Sequence, residues 1–177
     1  SKFLIDKRFS FPKSLYTVYD SLKIYLENKP EAVVLDFFAG SGTTMHAVNL
    51  LNAEDNGRRR CIMVTNNEVS DKEEQELKEK GLKKGDSEWE ALGIATHVTW
   101  PRTKCSIEGK DINGNPVDGD YGVKTEDFIA DEDAQMLSKR TGKITRGTIY
   151  KKTKIQLYPT LKKIKISDGF RSNVKYF

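Results

Sequence analysis

Leu15, Val18, Leu22 and Leu26 recur at intervals of three and four, the spacing that lines one face of an α-helix, and Ser14 stands before them as a candidate N-cap. The spacing predicts a helix over 15–27, stopped by Asn28-Lys29-Pro30. The run from Ala32 to Phe38, apolar apart from Asp36, predicts a strand buried on both faces, as in a parallel sheet. Gly40-Ser41-Gly42 follow it, then a helix-compatible stretch from Thr43 to Leu51 and a second apolar run from Cys61 to Thr65. Strand, glycine turn, helix and strand in that order make one βαβ unit.

The pattern weakens further on. Residues 71–84 and 86–92 are charged with sparse apolar positions, Trp89 among them, and read as surface helices. Thr99 can cap a helix that opens on Trp100-Pro101 and reaches about Glu108, because proline is tolerated in a first turn. Asp111-Ile112-Asn113-Gly114-Asn115-Pro116 has the composition of a turn. Tyr150, Leu157, Tyr158 and Leu161 fall at helical spacing, with Pro159 ending or kinking that helix, and alternation through Val174 and Tyr176 predicts a closing strand over 165–177.

Composition narrows the class. The 177 residues are 37% hydrophobic and 32% charged, with a mean hydropathy of −0.62. This suits one globular domain, or part of a larger one, and excludes a large two-domain enzyme. The apolar runs are far short of the roughly 20 residues that a membrane-spanning helix needs. No secretory leader opens the chain, which starts at Ser1, so the expectation is a cytoplasmic protein represented by one of its parts. Cys61 and Cys105 belong to no metal-binding or disulfide pattern and are expected as free thiols. His46 and His97 have no carboxylate at ligand spacing, so no metal site is expected and both read as packing or surface residues.

Charge adds a second theme. Thirty Lys/Arg against 26 Asp/Glu leave a net charge of +4, unevenly spread. Glu108 to Asp133 holds nine acids and two lysines, whereas Lys139 to Lys165 holds ten basic residues and no acid. Such asymmetry marks contact with a polyanion such as double-stranded DNA, with Lys151, Lys152 and Lys154 as candidate DNA-binding residues, or else the solvated face of a helix.

The strongest local signal is Asp36-Phe37-Phe38-Ala39-Gly40-Ser41-Gly42-Thr43-Thr44. A buried strand ends in an acid and two aromatic rings, and two glycines then let the backbone pass close beneath a ligand before a helix starts. The lysine of a phosphate-binding loop is missing, so a nucleoside cradle fits better than a phosphate cradle.

These residues resemble motif I of S-adenosyl-L-methionine-dependent DNA amino-methyltransferases, DPFxGSGTT, with Phe37 in place of the proline. Phe9-Ser10-Phe11-Pro12-Lys13-Ser14 resembles that family's motif X, FxxPKP, with Ser14 in place of the second proline. Val64-Thr65-Asn66-Asn67-Glu68 looks like the strand end that carries the ribose-binding acid, and Val98-Thr99-Trp100-Pro101-Arg102 is similar to a segment of type III restriction-modification methylation subunits. The resemblance covers most of residues 9–109 and the closing 169–177.

The resemblance implies an α/β, Rossmann-like methyltransferase fold, mostly parallel and only partly present. Residues 1–109 would be its cofactor-binding part, and 110–177 an acidic loop, a basic helical segment and a closing strand of the same domain. It implies that Asp36, Phe37, Phe38, Ala39, Gly40, Ser41, Gly42, Thr43 and Thr44 bind the cofactor, Glu68 its ribose, and Phe9, Pro12 and Lys13 its methionine end. The family's catalytic tetrapeptide has two adjacent prolines, whereas Pro12, Pro30, Pro101, Pro116 and Pro159 are all isolated. No catalytic residue is therefore expected in the chain, which should be inactive alone. Motif X directly before motif I is the order of the family's β class and places the missing catalytic half upstream. Full-length activity would be adenine methylation in DNA, with a homo-oligomer and a helicase-nuclease restriction subunit as further partners. The alternatives are a non-catalytic nucleotide-binding module and a DNA-binding or subunit-docking module.

Overall fold

The computed structural model describes residues 3, 5, 12–137, 144–156, 158, 161, 164–172 and 174. The chain divides into two compact units, Ser1–Gly119 with Ile164–Phe177, and Asp120–Lys163.

The first unit is built on the βαβ unit expected from the sequence. Helix α1 spans Leu15–Leu26, strand β1 Val33–Asp36, helix α2 Thr43–Asp55 and strand β2 Arg60–Met63. β1 and β2 pair in parallel, with Val33 opposite Arg60 and Asp36 opposite Met63. Residues 43 and 45–51 of α2 are all buried, because α2 packs at once against α1, β2 and a later helix over Trp100–Glu108.

Polar ties lock α1 to α2. The Tyr19 hydroxyl donates to the Glu54 carboxylate, and the Lys23 ammonium reaches the other oxygen of that carboxylate at 2.8 Å. Arg59, 4% exposed, holds Asp55 through both terminal nitrogens, at 2.9 and 2.7 Å. It also donates to the Leu26 carbonyl at 2.7 Å, joining the ends of the two helices.

Two expectations for this region change. Ser14 occupies the N-cap position of α1, but its side chain makes no capping bond. β1 is not buried on both faces: Val33 and Leu35 are about half exposed, as are Ile62 and Val64 from β2 and its end. Helix α2 packs on this two-stranded sheet, while the half-exposed Val33, Leu35, Ile62 and Val64 leave the hydrophobic run an open side.

Helices α3, Asp71–Glu79, and α4, Ser87–Ala91, follow. Ser70 and Glu73 close a reciprocal capping box at the start of α3. Both helices are surface elements with one anchor each, Leu77 and Trp89, 4% and 2% exposed. Helix α5 spans Trp100–Glu108, but a π-helical turn, Ala95–Thr99, runs straight into it. Thr99 is therefore helical and does not cap α5. Asp111 closes the expected turn by accepting from the amides of Asn113 and Asn115, each at 2.9 Å.

The closing segment departs from expectation too. Ile166–Asp168 is a 3₁₀ turn, and residues 169–172 and 174 are not in a strand. The Phe170 amide donates to the Ile107 carbonyl at 2.8 Å. Gly169, at φ +63°, passes so close to that carbonyl that a Cβ would lie 2.1 Å from its oxygen. The chain is thus pinned to the end of α5. Positions 173 and 175–177 lie outside the described residues.

The second unit corrects the helix expected in the basic segment. Strands β3, Val123–Leu137, and β4, Ile144–Gln156, form one antiparallel ribbon, with Val123 opposite Gln156 and Leu137 opposite Ile144. Ile144, Thr145, Thr148, Ile149, Tyr150, Thr153 and Ile155 are β-branched or aromatic, and this propensity outweighs a helical spacing that rested on four positions. Of those four, Leu157 lies outside the described residues, as do Pro159 and 138–143. The acidic segment beyond Gly122 is correspondingly a strand rather than a loop.

Candidate functional site

The parallel ends of β1 and β2 place the two sequence-predicted clusters side by side. The Val64 amide donates to the Asp36 carbonyl at 2.8 Å, and the Ala39 amide returns a bond to the Val64 carbonyl at 3.1 Å. Beyond this point the chain turns sharply, with the Gly42 amide on the Ala39 carbonyl at 2.8 Å. Gly40 and Gly42 both have positive φ, +49° and +74°. L-residues with a side chain enter that region only at a cost of about 1–2 kcal/mol, which is why the motif needs glycines here.

Asp36 organises the turn. Its Oδ1 accepts from the Phe38 amide at 3.0 Å and its Oδ2 from the Thr44 hydroxyl at 2.6 Å. A carboxylate offers about four lone-pair sites, so two remain for a ligand. Ser41 and Thr43, by contrast, are buried at 5% and 4% exposure. Their hydroxyls lie 3.0 Å apart, and both accept from Nη1 of Arg102 at 2.9 Å. Ala39 is buried, while Phe37 and Phe38 stand out at 61% and 90% exposure.

Glu68 follows β2 on an ordered loop. Its backbone carbonyl accepts from the Ile94 amide at 2.9 Å, and its exposed carboxylate has no partner among the described residues. Neighbouring Asn67 sets this geometry, donating to the Glu90 carbonyl at 2.8 Å and accepting from the Ala95 amide at 2.9 Å. Gly93 makes room for it: a Cβ there would lie 2.0 Å from the Asn67 side-chain oxygen.

The remaining predicted residues are less integrated. Pro12 and Lys13 are exposed, and among the described residues no hydrogen bond joins them to the glycine turn. Phe9 lies outside the described residues. Lys151, Lys152 and Lys154 are on β4, where Lys152 stands opposite Asp127 and Lys154 opposite Thr125. Strand periodicity places residues 152 and 154 on one face of the ribbon and 151 on the other.

Sequence reasoning overlooked Arg102, Thr99 and Thr103. Thr99 donates its hydroxyl to the Gly40 carbonyl, and Thr103 packs where a Cβ on Gly42 would come within 3.2 Å. The available signal was the Thr99-Trp100-Pro101-Arg102 segment itself, in which the sequence suggests only a helix cap at Thr99 and a resemblance.

Nearby titratable groups are chemically quiet. His46 is buried, its ring 5.7 Å from Phe3 and 5.8 Å from Phe170. Burial, then the Arg102 charge, lowers its pKa to about 3, so it stays neutral and is no proton carrier near pH 7. Burial, then the Asp36 charge, pushes the Cys61 thiol up to about 12 and leaves it protonated. A cleft of about 520 Å³ runs past Met63, Thr65, Asn67, Glu90 and Trp100. None of the predicted cofactor residues lines it.

Residues 5–68 match the family model described as DNA methylase. The chain is similar to the type II methyltransferase M.KpnI of Klebsiella pneumoniae, with 42% identity over 67 residues, which is 38% of this chain and 16% of that protein. It is also similar to the Mod subunit of the type III restriction-modification enzyme StyLTI of Salmonella typhimurium, at 47% over 60 residues, 34% of this chain and 9% of that subunit. The EcoPI Mod subunit of Escherichia phage P1 is 46% identical over 66 residues, 37% of this chain and 10% of that subunit. The matches thus span a small share of each relative's length. Residues 5–68, where β1, the glycine turn and α2 lie, are similar to the DNA methylase family, and stretches of 60–67 residues of the chain are similar to DNA methyltransferases that include type III Mod subunits.

Proposed function

We propose that this chain is the cofactor-binding part of a restriction-modification DNA methyltransferase, which moves a methyl group from S-adenosyl-L-methionine to the exocyclic amine of adenine in double-stranded DNA. The observation that carries the reading is the glycine turn at the end of β1, adjacent to a β2 end followed by the Glu68 carboxylate, which has no partner among the described residues. S-adenosyl-L-methionine fits this donor set. Glycines admit a close backbone approach, the exposed Phe38 ring offers apolar surface, and a free carboxylate can accept both ribose hydroxyls. When bound, that cofactor supplies an electrophilic methyl group.

The residues of this chain bind and orient. Glu68 accepts from the ribose, while the spare lone pairs of Asp36 and the backbone from Phe38 to Gly42 receive the amino-acid end. Pro12 and Lys13, with Phe9, close over it. The groups that hold a flipped-out adenine belong to a further segment with the paired prolines this sequence lacks. The open apolar side of the sheet, Val33, Leu35, Ile62 and Val64, supports that reading, because such a patch calls for a covering layer. DNA is contacted through β4. A second copy and a restriction subunit are the further partners, and the site of action is the cytoplasm.

Calorimetric titration of the full-length protein with S-adenosyl-L-methionine, followed by radiolabelled methyl transfer to duplex DNA, tests this. Full-length protein should bind the cofactor and label adenine, while the 177-residue chain alone should label nothing. Absence of cofactor binding by the full-length protein, or label transferred by the chain alone, would sink the reading.

A further inference from the structure

Helix α5 and the last residue of the π-helical turn before it close on the glycine turn through three side chains of one helical face. The Thr99 hydroxyl donates to the Gly40 carbonyl. Arg102 donates from one nitrogen to the hydroxyls of Ser41 and Thr43, both at 2.9 Å. Thr103 donates to the Thr99 carbonyl at 2.8 Å and fills the space beside Gly42. Residues 99, 102 and 103 share a face because three and four positions apart are neighbours on a helix.

This contact reaches three of the four residues from Gly40 to Thr43 by hydrogen bonds and the fourth by packing. The planar guanidinium suits the task, since the two N–H groups of one nitrogen have fixed directions and can hold two oxygens at a set separation. With Ser41 and Thr43 engaged this way, neither hydroxyl caps α2, whose N-cap is Gly42 with no side-chain bond. Thr99 ends the π-helical turn that leads into α5, and widened turns of this kind occur often at functional sites.

We propose that Arg102, supported by Thr99 and Thr103, is the positioning residue of the cofactor turn: it touches no ligand and sets the backbone path of Gly40 to Thr43 that a ligand meets. The proposal rests on the methyltransferase reading for its functional consequence, while its structural half stands on the turn alone.

The test uses full-length protein carrying Arg102→Met, Arg102→Lys or Thr99→Val. Hydrogen exchange at the amides of Ala39 and Gly42 reads the turn directly, with α3 as an internal reference. Arg102→Met should speed exchange at the turn about tenfold while α3 is unchanged, the loss expected for one charge-assisted hydrogen bond. It should raise KM for S-adenosyl-L-methionine by a similar factor with kcat changed less than about threefold, and Arg102→Lys should recover part of both. Unchanged turn exchange overturns the proposal, as does a fall in kcat at constant KM. If Arg102→Met does not fold, Thr99→Val carries the same expectations and the same refutation. If the wild-type protein takes up no cofactor, the methyltransferase reading falls, and the exchange measurement still decides whether α5 holds the turn.

Discussion

Asp36 accepts the hydroxyl of Thr44 at 2.6 Å, so the acid that ends β1 is tied to the second residue of α2 across the glycine turn. The carboxylate on which a cofactor-binding role was expected therefore also holds its own loop in shape. A hydrogen bond to a charged group contributes about 1.5–3 kcal/mol. Thr44→Val should destabilise the protein by that amount in urea denaturation. A double-mutant cycle with Asp36→Ala should show a coupling of about 1 kcal/mol, and strict additivity would mean that the pair does not act as a unit.

Glu68 should behave in the opposite way. Its carboxylate is exposed and holds nothing within the described residues. Glu68→Ala is expected to leave the melting temperature within about 2 °C, as surface substitutions do. In the full-length protein it should weaken cofactor binding by roughly 10- to 150-fold. Equal affinity by calorimetry would make Glu68 a surface acid.

Gly42 is constrained twice, by φ +74° and by Thr103. Gly42→Ala should cost about 1–2 kcal/mol from backbone strain alone. Gly81, also at positive φ but with open space around it, is the control. Gly81→Ala should show the strain cost without the steric one, so the difference between the two unfolding free energies measures the Thr103 contact.

His46 couples stability to pH. Its folded pKa of about 3 lies below the ordinary 6.5 because burial, then the Arg102 charge, opposes protonation. Between those values the unfolded chain binds a proton that the folded chain refuses, so stability from this group is complete above 6.5 and falls as pH drops toward 3. The slope approaches about 1.4 kcal/mol per pH unit. His46→Gln should flatten the decline in unfolding free energy between pH 6.5 and 5. An unchanged slope would assign the decline to other groups.

The ribbon makes the lysines inequivalent. If β4 follows a phosphate backbone, one face of the ribbon does so, and residues 152 and 154 share a face that 151 does not. Replacing Lys152 and Lys154 together with Gln should lower the log–log salt slope of DNA affinity by about 2, while Lys151→Gln alone should leave it unchanged. The reverse ranking would put the opposite face on DNA, and no change in either would remove DNA from this strand.

The sequence by itself determined the βαβ unit, the glycine turn and the helix that opens on Trp100-Pro101, because periodicity and glycine act over a few residues and need no distant partner. It also singled out Asp36 and Glu68, whose parallel strand ends follow from the βαβ order. It did not determine that the face of β1 bearing Val33 and Leu35 is open, since an apolar run reads alike whether or not a layer covers it. Nor did it determine the state of 144–156, where strand formation depends on pairing with β3, between 7 (Leu137–Ile144) and 33 (Val123–Gln156) positions away. The Arg102 contact with Ser41 and Thr43 joins residues 61 and 59 positions apart. That choice belongs to tertiary structure alone: an arginine on a helix can face solvent or a buried hydroxyl pair, and the packing of α5 against α2 decides which.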